Sequence, residues 1–142
     1  MINWDNQDDM VSQFFTVKQC LWLNQWDRMA NESDGLNDII KNSLFALCQK
    51  MDEIVDFFES SIIVHSCYRP IPYNEQIRGA KNSPHTRGEA MDWHIDGIEC
   101  NLIRDLLLPS LEDLNVRMED LPGANWVHID ISKVINNRYF KP

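Results

Sequence analysis

Apolar residues follow two rhythms along this chain, and the change from one to the other sets the expected architecture. From Thr16 to about Met29, Val17, Cys20, Leu21 and Leu23 to Trp26 recur at roughly helical spacing. A polar break follows at Asn31 to Gly35. Asp38 to Glu59 then reads as the main helix, with Ile39, Leu44, Leu47, Met51, Ile54, Val55 and Phe58 on one stripe. Ser60 and Ser61 end it. The apolar runs beyond this point are mostly short and read as strands: the β-branched Ile62 to Val64, ending at His65-Ser66, then Ala90 to Ile95, Val116 to Met118, and Trp126 to Ile131 as the last clear strand. Between them, Glu99 to Leu108 has helical periodicity and is expected to stop at Pro109. Arg69 to Pro84 is read as loop, broken by prolines and Gly79, with one helical turn around Tyr73 to Ile77. Helices first and short strands later predict an α+β fold: a small, mainly antiparallel sheet packed against N-terminal helices. No repeat or linker interrupts the pattern, so residues 1–142 are read as a single domain, with residues 1–13 expected to fray.

Composition narrows the class of partner. The chain has 142 residues and a net charge of -9, with a pI of about 4.7. Nucleic acid and anionic membranes select basic surfaces, so neither is expected as a partner. An anionic polymer would have to be recognised locally, through a few placed cations. Cys20, Cys48, Cys67 and Cys100 form no Cys-x-x-Cys pair and are read as reduced, buried thiols rather than a disulfide framework. The acidic N-terminus lacks the basic region of a signal peptide, and no apolar run reaches the roughly 18 residues of a membrane span. The expectation is a soluble chain, cytoplasmic as synthesised.

The chemistry concentrates in three segments: His65-Ser66-Cys67-Tyr68-Arg69-Pro70, Ser83-Pro84-His85-Thr86-Arg87-Gly88-Glu89-Ala90-Met91-Asp92, and Trp126-Val127-His128-Ile129-Asp130. Two histidines and one carboxylate are an accepted catalytic ligand set for zinc, with a fourth position left for water. His85 lies just before a strand, Asp92 lies within it, and Gly88 permits a tight turn between them. Spacing alone does not separate such ligands from ordinary surface or core histidines.

The pattern Ser-x-His-x-x-Gly-x-Ala-x-Asp, followed by Trp-x-His, resembles the signature of the zinc D-alanyl-D-alanine carboxypeptidase family, which includes vancomycin-resistance dipeptidases and phage L-alanyl-D-glutamate endolysins. Ser83, His85, Gly88, Ala90 and Asp92 occupy the five fixed positions. Ser66-Cys67-Tyr68-Arg69 and the stretch from Asn74 through Gly79-Ala80 to Asn82-Ser83 also fit, and the resemblance covers roughly residues 14 to 132. It implies a Zn2+ cofactor held by His85, Asp92 and His128. It implies that Arg69 stabilises the substrate carbonyl or carboxylate. The implied substrate is a peptidoglycan stem peptide or a D-Ala-D-Ala peptide, cut by carboxypeptidase or endolysin-like endopeptidase action. A chain of this kind without a signal peptide suits release to the cell wall by a phage lysis system, and equally suits a cytoplasmic dipeptidase.

One position departs from the pattern. Many relatives carry Glu or Asp three residues before the last ligand, as a proton shuttle. Here the residue is Asn125, whose amide cannot serve. Either another carboxylate takes the role, with Asp130 and Glu119 as candidates, or the domain is a catalytically silent zinc-binding structural or peptide-binding module. Asp130 shares a strand face with His128, so it is equally a candidate to orient that ligand. Ser83, Tyr73, Asn74 and Trp126 are the expected substrate contacts. His94 shares the strand face of Asp92, while Trp93 should point to the core.

Overall fold

The computed structural model describes residues 1–142 and is α+β, as the periodicities predict. The main helix, α2, runs Asp38–Phe58 after the short helix α1, Val17–Leu21, and the two-stranded hairpin β1, Trp22–Leu23, and β2, Arg28–Met29. The Asn37 side chain caps α2 by accepting from Ile40 N, and Glu59 ends it in the left-handed conformation. Leu44, Leu47, Cys48, Met51, Ile54 and Val55 form its buried stripe. Ile39, expected on that stripe, is exposed, and Ile40 packs instead.

Five strands form the second layer. They are β3 (Ile63–Ser66), β4 (Ala90–His94), β5 (Arg117–Glu119), β6 (Val127–Asp130) and β7 (Tyr139–Phe140), in the order β3-β4-β6-β5-β7. All pairings are antiparallel except β5 with β7. Side chains alternate across a strand, so each strand offers one face to the core and one to the site. Met91, Trp93, Met118, Val127 and Ile129 are fully buried on the core face and join the α2 stripe in one cluster. Asp92, His128, Asp130, Arg117 and Glu119 occupy the other face. The register places Asp92 opposite His128 and Asp130 opposite both Ala90 and Arg117. A bulge between Val64 and Ser66 puts Ser66 opposite Asp92.

The remaining elements are α3 (Ile71–Gln76), α4 (Cys100–Leu107) and α5 (Leu111–Leu114). One expectation is corrected. The helix expected from Thr16 to Met29 is one turn, α1, after which the same apolar residues serve a hairpin whose Asp27 adopts a positive φ of 52°. The α-helix α4 ends at Leu107, just before Pro109, as expected, and the chain continues in a 3-10 turn, Leu108–Ser110, where the missing proline N–H is tolerated. Near the start of the chain Val11 is buried, and the Ser12 hydroxyl and Gln13 N donate to Asp52 on α2. All four cysteines are buried and unpaired. No helix is long and apolar enough to cross a membrane.

Candidate metal centre

Local backbone chemistry delivers the first two functional side chains. Ser83 caps the 3-10 turn Pro84–Arg87 by accepting from His85 N at 3.2 Å. Gly88 then reverses the chain at φ 70°. A Cβ on Gly88 would lie 2.9 Å from the Ile40 carbonyl oxygen, so both conformation and space demand glycine. The chain enters β4 directly, which brings Asp92 back beside His85. The loop carrying Arg69 is tied to this turn through Arg69 N, which donates to the His85 carbonyl at 3.0 Å. His128 arrives from β6, directly opposite Asp92.

Hydrogen bonding on the outer side of each ring decides which nitrogen faces inward. His85 Nδ1 donates to the Cys67 carbonyl at 2.7 Å, so Nε2 carries a lone pair. That atom is buried and has no hydrogen-bond partner, although Asp92 Oδ1 lies only 3.2 Å away. Two acceptors thus face one another, an arrangement that a cation between them would satisfy. His128 Nε2 donates to Asp130 Oδ2 at 2.8 Å, leaving Nδ1 2.9 Å from Asp92 Oδ1. One ligand atom from each of His85, Asp92 and His128 lies within 4.8 Å of the others, and all three residues are buried.

The electrostatics favour a cation at this point. Burial alone would lower the pKa of His128, but its bonds to Asp130 and Asp92 outweigh burial and push it up to about 9. Both ring nitrogens of His128 thus face a carboxylate. Burial works to raise Asp92, yet His85 and His128 hold its carboxyl well below the usual carboxylate range. Burial lowers the pKa of His85, which keeps it neutral, as a ligand must be. The donor set of two imidazole nitrogens and one carboxylate oxygen fits zinc.

Around the cluster is a cleft of about 380 Å³ lined by Arg69, Ser83, Glu119 and Trp126 as well as the three ligand candidates. Arg69 is fixed on three sides. Nη2 donates to Asp92 Oδ2 at 3.0 Å, Nε to Ser66 Oγ at 2.8 Å, and Nη1 to Asn74 Oδ1 at 3.4 Å. The bulge in β3 is what aims Ser66 at it. Glu119 Oε2 lies 3.8 Å from His128 Nδ1, and burial raises its pKa.

The structure brings together His85, Asp92, His128, Arg69, Glu119, Ser83 and Trp126, and separates the remaining candidates. Asp130 is fully buried behind His128, where Arg117 grips it from Nε at 2.7 Å and Nη2 at 2.9 Å and Ser132 N donates at 3.1 Å. It has no opening to the cleft and holds the outer nitrogen of a ligand candidate instead. Breaking such a buried pair by removing one partner costs about 3–5 kcal/mol. Tyr73 does not line the cleft; its ring packs edge-on to Trp26 and its hydroxyl accepts from Gln25 N. Asn74 is buried, and its Nδ2 donates to the Ala80 carbonyl at 3.0 Å, so it braces the loop and Arg69. Asn125 lines a separate groove with His94 and Asp96. His94 itself contacts His65 and Asp96 rather than the cluster. Sequence reasoning missed Arg117 and Phe140. The alternation Arg117-Met118-Glu119 could have placed Arg117 on the site face, whereas nothing local marks Phe140.

The family described as Peptidase M15 matches residues 15–130. The peptidoglycan L,D-endopeptidase MepK of Escherichia coli strain K12 is 43% identical over 70 residues, covering 46% of this chain and 37% of the relative. The protein of the same name from Shigella flexneri matches to the same extent. This chain therefore spans little more than a third of the length of these relatives. No solved structure matches.

Proposed function

The chain belongs to the peptidase M15 family, and from that membership we propose that it is a zinc-dependent endopeptidase acting on D-amino-acid-containing bonds of bacterial peptidoglycan. The observation that carries the proposal is the convergence of His85 Nε2, Asp92 Oδ1 and His128 Nδ1, each ring held from behind by a hydrogen bond. The endopeptidase reading, in preference to carboxypeptidase, is supported by the partly matching relatives, which are named as peptidoglycan L,D-endopeptidases.

His85, Asp92 and His128 would hold the zinc. When bound, it supplies Lewis acidity toward the scissile carbonyl. Arg69 presents a fixed guanidinium at the cleft wall to the negative charge that develops on the carbonyl oxygen. Glu119 takes a proton from the attacking water and returns it to the leaving amine. Its half-buried position in the cleft supplies the carboxylate that Asn125 cannot, so the departure at Asn125 does not require a silent module. Ser83 and Trp126 line the space left for substrate.

Digestion of purified muropeptides by the zinc-loaded protein, followed by mass spectrometry, tests the proposal. Internal cleavage into two peptide fragments is expected. Loss of a single terminal D-alanine would replace endopeptidase with carboxypeptidase, and no product from muropeptides or D-Ala-D-Ala peptides across a range of pH would remove the proposal altogether.

A further inference from the structure

The strand β7 is only two residues long, yet it sits beside the cluster. Its backbone is pinned by Met118 N donating to the Arg138 carbonyl at 2.7 Å and Asp120 N to the Phe140 carbonyl at 2.6 Å. The parallel register sets Phe140 opposite Glu119. The Phe140 ring meets two groups. One is the Arg117 guanidinium, whose central carbon lies 4.2 Å from the ring centroid. The other is the His128 ring, edge-on at 5.9 Å between centroids and 85° between planes.

We propose that Phe140 is a positioning residue for the metal centre: its face holds the Arg117 guanidinium flat against Asp130, and Asp130 in turn fixes the rotation of the His128 ring. The inference rests on the zinc-binding reading given above. The chain of contacts is continuous. Phe140 covers Arg117, Arg117 grips both oxygens of Asp130, and Asp130 accepts from His128 Nε2 at 2.8 Å. Each link restricts the next. A guanidinium stacked on an aromatic face keeps its fork in one plane. A carboxylate held at both oxygens presents one lone pair to the ring. A ring held at Nε2 aims Nδ1 at Asp92. Without Phe140, Arg117 is free to turn toward solvent, and the carboxylate behind His128 loses its brace. Partners that orient ligands in this way set metal affinity as well as geometry.

Zinc affinity, measured by chelator competition on the full chain, tests the proposal. Phe140→Ala is expected to weaken zinc by about 10-fold, the lower end for loss of a ligand-orienting group. Phe140→Tyr, which keeps the aromatic face, should bind as the parent protein does. Phe140→Leu keeps apolar bulk without that face and should weaken zinc as Ala does, with thermal unfolding of the metal-free protein confirming that it folds. Because Phe140 acts through Arg117, Arg117→Ala combined with Phe140→Ala should lose no more affinity than Arg117→Ala alone. Parent-like zinc binding by the folded Leu variant, or additive losses in the double variant, would overturn the proposal while leaving the zinc site intact. Failure of the parent protein to bind zinc would instead overturn the functional reading on which it rests.

Discussion

Replacing Glu119 with Gln should leave zinc bound and lower kcat by about 10²- to 10⁴-fold, the range for removing a general acid–base group. The substitution preserves size and one acceptor oxygen but removes the capacity to carry a proton. Glu119 stands 3.8 Å from His128 Nδ1 and lines the cleft, but is not among the three converging ligand candidates. Metal content should therefore survive the change. Asn125 gives the complementary control, since it lines a different groove and its replacement by Ala should leave kcat close to the parent value. Full turnover by Glu119→Gln on muropeptides would show that the proton moves by another route.

Replacing Arg69 with Ala should cost about 10²- to 10³-fold in kcat, as for loss of one donor to a developing oxyanion. Lys should restore little of it. Arg69 donates from three nitrogens to three different groups, and a lysine ammonium on a flexible stem cannot reproduce that fork. The guanidinium also touches Asp92, so zinc content has to be measured beside the kinetics. A fall in kcat with zinc retained fits stabilisation of the reacting oxygen. A rise in KM alone would instead assign Arg69 to ground-state binding of substrate.

Legibility followed the physics of each element. The α2 stripe was readable because a long amphipathic helix repeats its signal over many turns, and the Asn37 cap and Ser60-Ser61 stop agree with it. The three ligand candidates were readable through the resemblance carried by Ser83, His85, Gly88, Ala90 and Asp92 and by Trp126-x-His128, not from spacing alone; the turn at Gly88 and the register of β4 with β6 are what bring them together. Residues 16–29 were not, because apolar residues at helical spacing also satisfy a tight hairpin, and only packing chooses between them. Asp130 and Glu119 were both open as proton shuttles because strand parity puts each on the site face. What separates them is depth: Asp130 is covered by Arg117 and Ser132, while Glu119 opens to the cleft. Tyr73 and Asn74 show the limit of position alone, since the helix α3 turns one toward Trp26 and the other under Arg69. The strand β7 left no trace at all, because two residues carry no period and a parallel pairing is set by the tertiary fold.

The zinc content of the purified protein after exhaustive dialysis, compared with His128→Ala, bears most directly on the whole assignment. His128 supplies one of the three converging atoms, and its loss leaves His85 and Asp92 without a third partner. One zinc per chain in the parent protein and almost none in His128→Ala is the expected result. A parent protein without zinc, or a variant that retains it in full, would contradict a metal centre built on His85, Asp92 and His128.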